Sequence, residues 1–219
     1  MHNFMVSCRK FSYILTIPLL NCNIHPNTIS ILSIVFVYVG LFVSLFIKTV
    51  LGAWLVLFSY AIWGLLDGVD GNLARYKSIT SEQGHMLDAT SGYLAMFSTF
   101  MSAGVISSNV PQLNTGIWLL DSGQVVALGA IAGAAQILPR LIMNKKIAVF
   151  KNSETVNEVK NKQSYRTAKL LIVNMISVSG LAWIFFALSV IFHCIDLYVY
   201  TYFLLNSLVF LGSTFTLLK

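Results

Sequence analysis

The sequence predicts an all-α integral membrane protein, with six transmembrane helices preceded by a short amphipathic helix at the membrane interface. The 219 residues are 57% hydrophobic and only 10% charged, whereas about 25% of the residues in a soluble domain are charged. The apolar residues also fall into six stretches close to the ~20 residues that a helix needs to cross a bilayer. No polar stretch is long enough for a second domain, so residues 1–219 are expected to form one membrane domain.

The N-terminal segment, residues 1–25, is expected to lie along the membrane surface. It contains FMVSCRKFSYILTIPLL, which is short, basic and amphipathic, and which Pro18 should interrupt. A frayed N-terminus is the alternative. The segment has no long apolar run before Pro18 and no small-residue cleavage site, so it does not resemble a cleaved signal peptide. The cysteines lack metal-ligand or paired spacing and are interpreted as structural; they are Cys8, Cys22 and Cys194.

Six apolar stretches follow this segment, and each predicts a membrane-spanning helix. The fourth contains GAIAGAA, in which Gly129 and Gly133 form a small-xxx-small pattern. Such patterns allow close contact between helices, either within one chain or between the two chains of a homodimer. The predicted spans are about 28–47, 51–75, 84–106, 122–143, 169–192 and 196–217.

The basic residues predict which ends of the helices face the cytoplasm. With both termini cytoplasmic, only Lys48 lies on the outer side, and the outer loop SSNVPQLNTGIWLLD has no basic residue. This asymmetry agrees with the positive-inside rule. It places the polar loop 144–169 in the cytoplasm and accounts for the net charge of +6 without nucleic acid. The expected location is a prokaryotic cytoplasmic membrane. The basic residues on the cytoplasmic side are Arg9, Lys10, Arg75, Lys77, Arg140, Lys145, Lys146, Lys151, Lys160, Lys162, Arg166, Lys169 and Lys219.

Half of the acidic residues lie in the stretch 65–94, where the second predicted span ends and the third begins. An Asp at bilayer depth costs about 2.5–3.5 kcal/mol, so these groups need a metal, a partner or water. Helix ends that lie in water are the simplest alternative. On a helix through Arg75, however, two carboxylates share a face of about 100° with two very small residues. Asp88 follows one turn after Gly84 on the next helix. The clustered residues are Asp67, Asp70, Gly71, Ala74, Gly84 and Asp88.

Three carboxylates beside a face with almost no side chains predict a metal site next to a phosphate-sized cavity. Carboxylate oxygens are hard ligands that suit Mg²⁺, Mn²⁺ or Ca²⁺. One or two such ions held by Asp67, Asp70 and Asp88 would favour phosphoryl chemistry. An alternative hypothesis is a transporter that uses the acids as a cation site. It does not explain the spacing of the small residues.

The spacing of these residues resembles the signature of the CDP-alcohol phosphotransferase family, also called CDP-alcohol phosphatidyltransferases. That signature is D-x2-D-G-x2-A-R-x8-G-x3-D-x3-D. The chain reads Asp67-x2-Asp70-Gly71-x2-Ala74-Arg75-x8-Gly84-x3-Asp88-x3-Gly92, so seven of the eight fixed positions match, every spacing is kept, and only the last position differs. The six spans, the N-terminal helix and HPNTIS before the first span also resemble that family.

The resemblance implies which residues bind the donor nucleotide and its phosphates. Near the first span, an N-cap role explains the polar residues equally well. Arg75 would hold phosphate, with snorkelling as the alternative. Arg140 and Lys145 could contact an anionic acceptor group or could serve as topology anchors. Asp121 and Asp196 are interpreted as solvated helix caps. The implied donor-binding residues are Asn27, Thr28, Ser30, Gly71, Ala74, Arg75 and Gly84.

The departure from the signature is Gly92, where the family places a fourth Asp that helps to bind metal and deprotonates the acceptor. His85 projects within about 20° of position 92 but lies roughly 10 Å away along the helix axis. It is the candidate substitute base. Ser91 is too weak an acid for that role. A bound metal or an acceptor that is already ionised would remove the need for a base.

The resemblance therefore implies a metal-dependent membrane transferase. It would move a phospho-alcohol group from a CDP-alcohol, such as CDP-diacylglycerol, to an unidentified acceptor and release CMP. The expected partners are the CDP-alcohol, the acceptor and the lipid bilayer, with no nucleic acid. The alternative hypothesis is a catalytically impaired relative that binds a CDP-alcohol or a metal as a partner or regulator, which Gly92 would explain.

Overall fold

The computed structural model describes residues 12–20, 24–79, 81–117, 120–149 and 181–218, and every regular element of more than three residues in these ranges is a helix. Helix α1 covers residues 12–20. A 3₁₀ turn, Pro111–Leu113, follows α4. The other helices are α2 (Pro26–Phe46), α3 (Val50–Tyr76), α4 (Glu82–Asn109), α5 (Ser122–Val149), α6 (Trp183–Ile191) and α7 (Ile195–Leu218).

Four of the described helices, α2, α3, α5 and α7, are long and apolar enough to cross a membrane. Helix α4 is also long, with 28 residues, but it carries hydroxyl side chains that point into the protein core, and these lower its hydropathy. The helix at the third predicted span is therefore more polar than the four apolar helices. The prediction of six spans stays a prediction, because 150–180, which includes most of the polar loop and the start of the fifth span, lies outside the described residues. The buried hydroxyls of α4 are Ser91, Ser98, Thr99, Ser102 and Ser107.

The starts of three helices are fixed by polar caps. Thr49 accepts a hydrogen bond from Gly52 N at 3.2 Å, and Ser81 accepts one from Gly84 N at 3.0 Å. At α2 the cap is His25, whose Nδ1 accepts from Asn27 N at 3.2 Å. The interpretation that a polar residue after Pro26 caps this helix is therefore wrong: the cap precedes the proline, which occupies the first turn as prolines often do.

The main core is built from buried residues of helices α2 to α7. An aromatic cluster forms its centre, with the rings of Phe100 and Tyr202 5.2 Å apart and those of Phe186 and Tyr198 5.3 Å apart. Tyr60 on α3 shares a hydrogen bond of 2.8 Å with Ser102 on α4. Large rings and paired hydroxyls thus fix the helices that carry the acidic residues.

Helices α4 and α5 pack at very close range through the predicted small-residue pattern. A Cβ at Gly129 would lie 2.5 Å from Phe100 O, and a Cβ at Gly133 would lie 2.9 Å from Phe97 O. In the described residues, GAIAGAA therefore makes contacts within one chain. A homodimer stays a prediction that these contacts do not test.

Two sequence interpretations need correction. Helix α1 continues through Pro18 to residue 20, so the proline does not interrupt it within the described residues.

Asp196 is buried, with only 4% exposure, and accepts hydrogen bonds from the backbone of Thr115 and Gly116. It ties the segment after α4 to the start of α7 and is not a solvated cap, whereas Asp121 is exposed as expected. Cys8 and Cys22 lie outside the described residues, and Cys194 is a free thiol.

Candidate active site

The acidic residues face a cavity formed where α2 begins, α3 ends and α4 begins. Its volume is about 240 Å³. The turn between α3 and α4 is held to the start of α2 by Lys77, whose Nζ donates to Ile24 O at 2.8 Å. Three helix ends are thereby fixed around one polar space. The lining residues are Pro26, Asn27, Ser30, Asp70, Gly71, Ala74, Arg75, Ile79, Ser81, Gly84, His85 and Asp88.

Two of the three predicted carboxylates line this cavity. Asp70 is only 5% exposed, and its Oδ2 accepts a hydrogen bond of 2.6 Å from Ser30 Oγ. Asp88 is exposed at the cavity and belongs to the opposite helix. Asp67 is not among the lining residues, but it is close enough to interact electrostatically with Asp70 and Asp88. The site therefore combines one carboxylate fixed by Ser30, one exposed carboxylate and a third outside the cavity lining.

The small residues of the signature make the cavity possible. A Cβ at Gly84 would lie 3.1 Å from Ser81 Oγ and 3.2 Å from Asn27 Oδ1, so glycine lets the starts of α2 and α4 approach each other. A Cβ at Gly71 would meet only Arg75 Nη2, at 3.7 Å. The face of α3 next to Asp70 is consequently open, and it is bordered by a guanidinium group that can pair with phosphate.

The guanidinium of Arg75 has a defined position at the cavity. Its Nη2 donates to Asn72 Oδ1 at 2.8 Å, and Asn72 itself is buried. Asn72 could not be identified from the signature, which leaves its position unspecified. A polar residue buried in a helix three positions before the arginine is the local signal that could have indicated it.

Position 92 lies beside a buried polar network and not in the cavity lining. The neighbouring Ser91 Oγ contacts Ser33 Oγ at 2.8 Å and accepts a 2.8 Å hydrogen bond from Trp63 Nε1. A Cβ added at Gly92 would meet nothing within 4 Å. The space for a side chain is therefore open, while Ser91 is occupied by its partners.

The other predicted site residues divide into two groups. Asn27, Ser30 and His85 line the cavity, so His85 reaches it despite its distance from position 92 along the helix. Thr28, Arg140 and Lys145 are not among the lining residues. Arg140 is half-buried and lies near Tyr93. Tyr93 also accepts a hydrogen bond of 2.6 Å from Asn144. The basic end of α5 is thus a separate polar patch.

The donor set suits a hard divalent cation, because carboxylate and hydroxyl oxygens converge there. Nevertheless, no group of three or more His, Cys, Asp or Glu side chains in the described part of the chain is arranged closely enough to form a ready metal site. The carboxylates fit a metal by chemistry and by shared location. The carboxylates would have to move closer together when an ion and phosphate oxygens bind.

Comparison with known protein families gives a match that covers the cavity residues. A sequence model described as CDP-alcohol phosphatidyltransferase matches residues 23–199. The match includes α2, α3 and α4 and therefore every residue that lines the cavity. No curated protein matches the chain at a significant level of similarity.

Proposed function

The chain belongs to the CDP-alcohol phosphatidyltransferase family, and we propose that it is a membrane enzyme that transfers a phospho-alcohol group from a CDP-alcohol to an acceptor and releases CMP. The observation that carries this proposal is the cavity in which Asp70, Asp88 and Arg75 meet beside the bare face of Gly71 and Ala74. Its residues come from three helix ends, and its charges suit a diphosphate and a cation together.

Asp67, Asp70 and Asp88 would hold one or two Mg²⁺ or Mn²⁺ ions. When bound, such ions neutralise the charge of the donor diphosphate and stabilise the CMP leaving group. The protein contributes the positions of the ligands. Ser30 fixes one carboxylate through its 2.6 Å hydrogen bond, and the exposed Asp88 is free to turn toward the ligand.

The other lining residues would hold the donor itself. Arg75 offers several N–H donors to phosphate oxygens, while Asn27 and Ser81 lie where α2 and α4 approach each other. We assign these residues, with Gly71, Ala74 and Gly84, to the donor nucleotide and its diphosphate. Thr28 would contribute from the rim, because it is exposed and outside the lining.

In the transfer step, an acceptor oxygen forms a bond to the phosphorus that carries the alcohol. The bond from that phosphorus to the oxygen of the CMP phosphate breaks, and CMP leaves with the electron pair. A hydroxyl acceptor must also lose a proton. His85 is the described lining residue that could take it without also serving as a metal ligand. An ionised acceptor would not need this step.

Arg140 and Lys145 are proposed to attract an anionic acceptor to the adjoining end of α5. They lie outside the cavity lining, so they would act on the acceptor and not on the diphosphate. The same proposal places both termini and the cavity on the cytoplasmic side, which is where the basic residues of the sequence concentrate.

The test is metal-dependent CMP release by the full-length protein in lipid nanodiscs. A panel of CDP-alcohols, including CDP-diacylglycerol, is supplied with and without hydroxyl and phosphate acceptors. We expect release with one donor–acceptor pair, loss of release with a chelator, and loss in Asp70→Asn. The matched control is Asp121→Asn, because Asp121 is exposed and lies at the start of α5. Binding of CDP without release from any pair would contradict the transferase and favour the impaired relative.

A further inference from the structure

Helix α1 is attached through one buried side chain to α3, the helix that carries Asp70 and Arg75. Asn72 Nδ2 donates to Ser12 Oγ at 3.2 Å and to Thr16 Oγ1 at 3.4 Å. The same side chain uses its Oδ1 to accept from Arg75 Nη2 at 2.8 Å. Asn72 is 3% exposed, so its amide groups are satisfied by α1 on one side and by the cavity arginine on the other.

The backbone of α3 also comes close to α1. A Cβ at Gly68 would lie 2.9 Å from Ser12 Cβ and 3.1 Å from Ser12 Oγ. Gly68 lies one turn before Asn72, so the two residues form one contact surface for α1. The opposite face of α1 is apolar and exposed, as the surface-lying helix of a membrane protein requires; its exposed residues are Tyr13, Ile14, Leu15 and Ile17.

We propose that Asn72 is a positioning residue that holds Arg75 at the cavity and connects it to α1. This rests on the proposed function, because it assigns Arg75 to the diphosphate of the donor. An arginine side chain has many rotamers, and an exposed one loses this freedom when it binds phosphate. A buried amide that fixes the guanidinium beforehand reduces that loss, and α1 in turn fixes the amide.

The first experiment is a double-mutant cycle on the binding of CDP with Mn²⁺, measured by calorimetry on the full-length protein in nanodiscs. We expect Asn72→Ala to weaken binding about 10-fold, the effect of losing one hydrogen bond to a charged group. Arg75→Ala should weaken it further, and the double variant should match Arg75→Ala alone. Additive effects of the two substitutions would overturn the proposal.

The second experiment needs no ligand. Phenylglyoxal modifies exposed guanidinium groups, and its rate at Arg75 is measured by mass spectrometry. We expect Asn72→Ala to raise this rate, and Thr16→Val, which removes only one hydroxyl, to raise it less. Gly68→Ala should raise it as well, because the new methyl group displaces α1. The matched control is Gly64→Ala on the same helix, where a Cβ would meet nothing within 4 Å.

The outcomes separate this inference from the proposed function. Wild-type protein that binds no CDP contradicts the proposed function and the ligand assigned to Arg75. CDP binding in the wild type with an unchanged phenylglyoxal rate in Asn72→Ala contradicts the positioning role alone. A merely structural role would lower the thermal midpoint of Asn72→Ala without coupling to Arg75, so the midpoint of each variant is measured beside its binding. Thr16→Val keeps the test decisive if Asn72→Ala does not fold.

Discussion

Ser30 on α2 donates a 2.6 Å hydrogen bond to Oδ2 of Asp70 on α3. The two residues are 40 positions apart, and both are nearly inaccessible, with 3% and 5% exposure. A carboxylate buried in a membrane protein requires compensation. Ser30 supplies part of it and at the same time fixes the angle at which Asp70 faces the cavity.

Replacing Ser30 with Ala should destabilise the protein. The change removes a charge-assisted hydrogen bond and leaves a buried carboxylate oxygen with fewer partners, which costs about 1.5–3 kcal/mol. We expect a lower thermal midpoint in detergent and weaker Mn²⁺ binding. Ser44→Ala is the control, because Ser44 lies on the same helix and donates only to Leu41 O. An equal shift in both variants would show that the contact with Asp70 has no special weight.

Gly129→Ala should also destabilise the protein, because the added methyl group would approach Phe100 O to 2.5 Å. Helices α4 and α5 would have to separate, and such overpacking costs roughly 1–3 kcal/mol. In Gly123→Ala the methyl group meets nothing within 4 Å, so the stability of this variant should stay within about 0.5 kcal/mol of the wild type. Thermal unfolding of both variants measures the difference. A stable Gly129→Ala would contradict the close packing of α4 on α5.

The sequence predicted the starts of four described helices well, because long apolar runs can be seen locally. The starts of α2, α3, α4 and α5 lie within about two residues of their predicted positions. The polar caps were less predictable. His25 serves as the cap of α2 by means of a ring nitrogen, a use of histidine that residue preferences do not favour.

The spacing of the signature predicted that Asp67, Asp70 and Asp88 would converge on one cavity. Asp70 and Asp88 line the cavity together with Arg75, whereas Asp67 is not among the lining residues. Helical periodicity alone fixes which residues lie on one face. It does not indicate which distant segment covers the other face. The contacts of Asn72 with α1 span 60 and 56 positions, and no local pattern predicts a pairing of that length.

Asp196→Ala should be strongly destabilising, in contrast to its original interpretation as a solvated cap. Its carboxylate accepts hydrogen bonds from Thr115 N, Thr115 Oγ1 and Gly116 N at 2.6–3.2 Å. Their loss leaves several donors without their partner in the segment after α4, at a cost of roughly 2–3 kcal/mol. Asp121→Ala, at an exposed position, should have little effect. Equal thermal midpoints in the two variants would contradict the role given to Asp196.

Gly92→Asp tests whether the chain uses an unusual base. Gly92 lies one turn beyond Asp88 on nearly the same face of α4, and a Cβ there would meet nothing within 4 Å. An aspartate should therefore fit and bind Mn²⁺ at least as tightly as the wild type. General-base help typically contributes 10²–10⁴-fold, so turnover of a hydroxyl acceptor should rise. The measurement is CMP release by both proteins over a pH series.

Gly92→Asn is the matched control, because it has the same shape but cannot take a proton. A gain in Gly92→Asp that Gly92→Asn does not share would assign the effect to the carboxylate. Turnover that falls in Gly92→Asp would indicate an acceptor that is already ionised, since a new negative charge would repel it. If the wild type turns over a hydroxyl acceptor and neither variant changes the rate, another residue supplies the base. His85→Ala should then abolish release while leaving Mn²⁺ binding intact, because His85 lines the cavity beside the carboxylates.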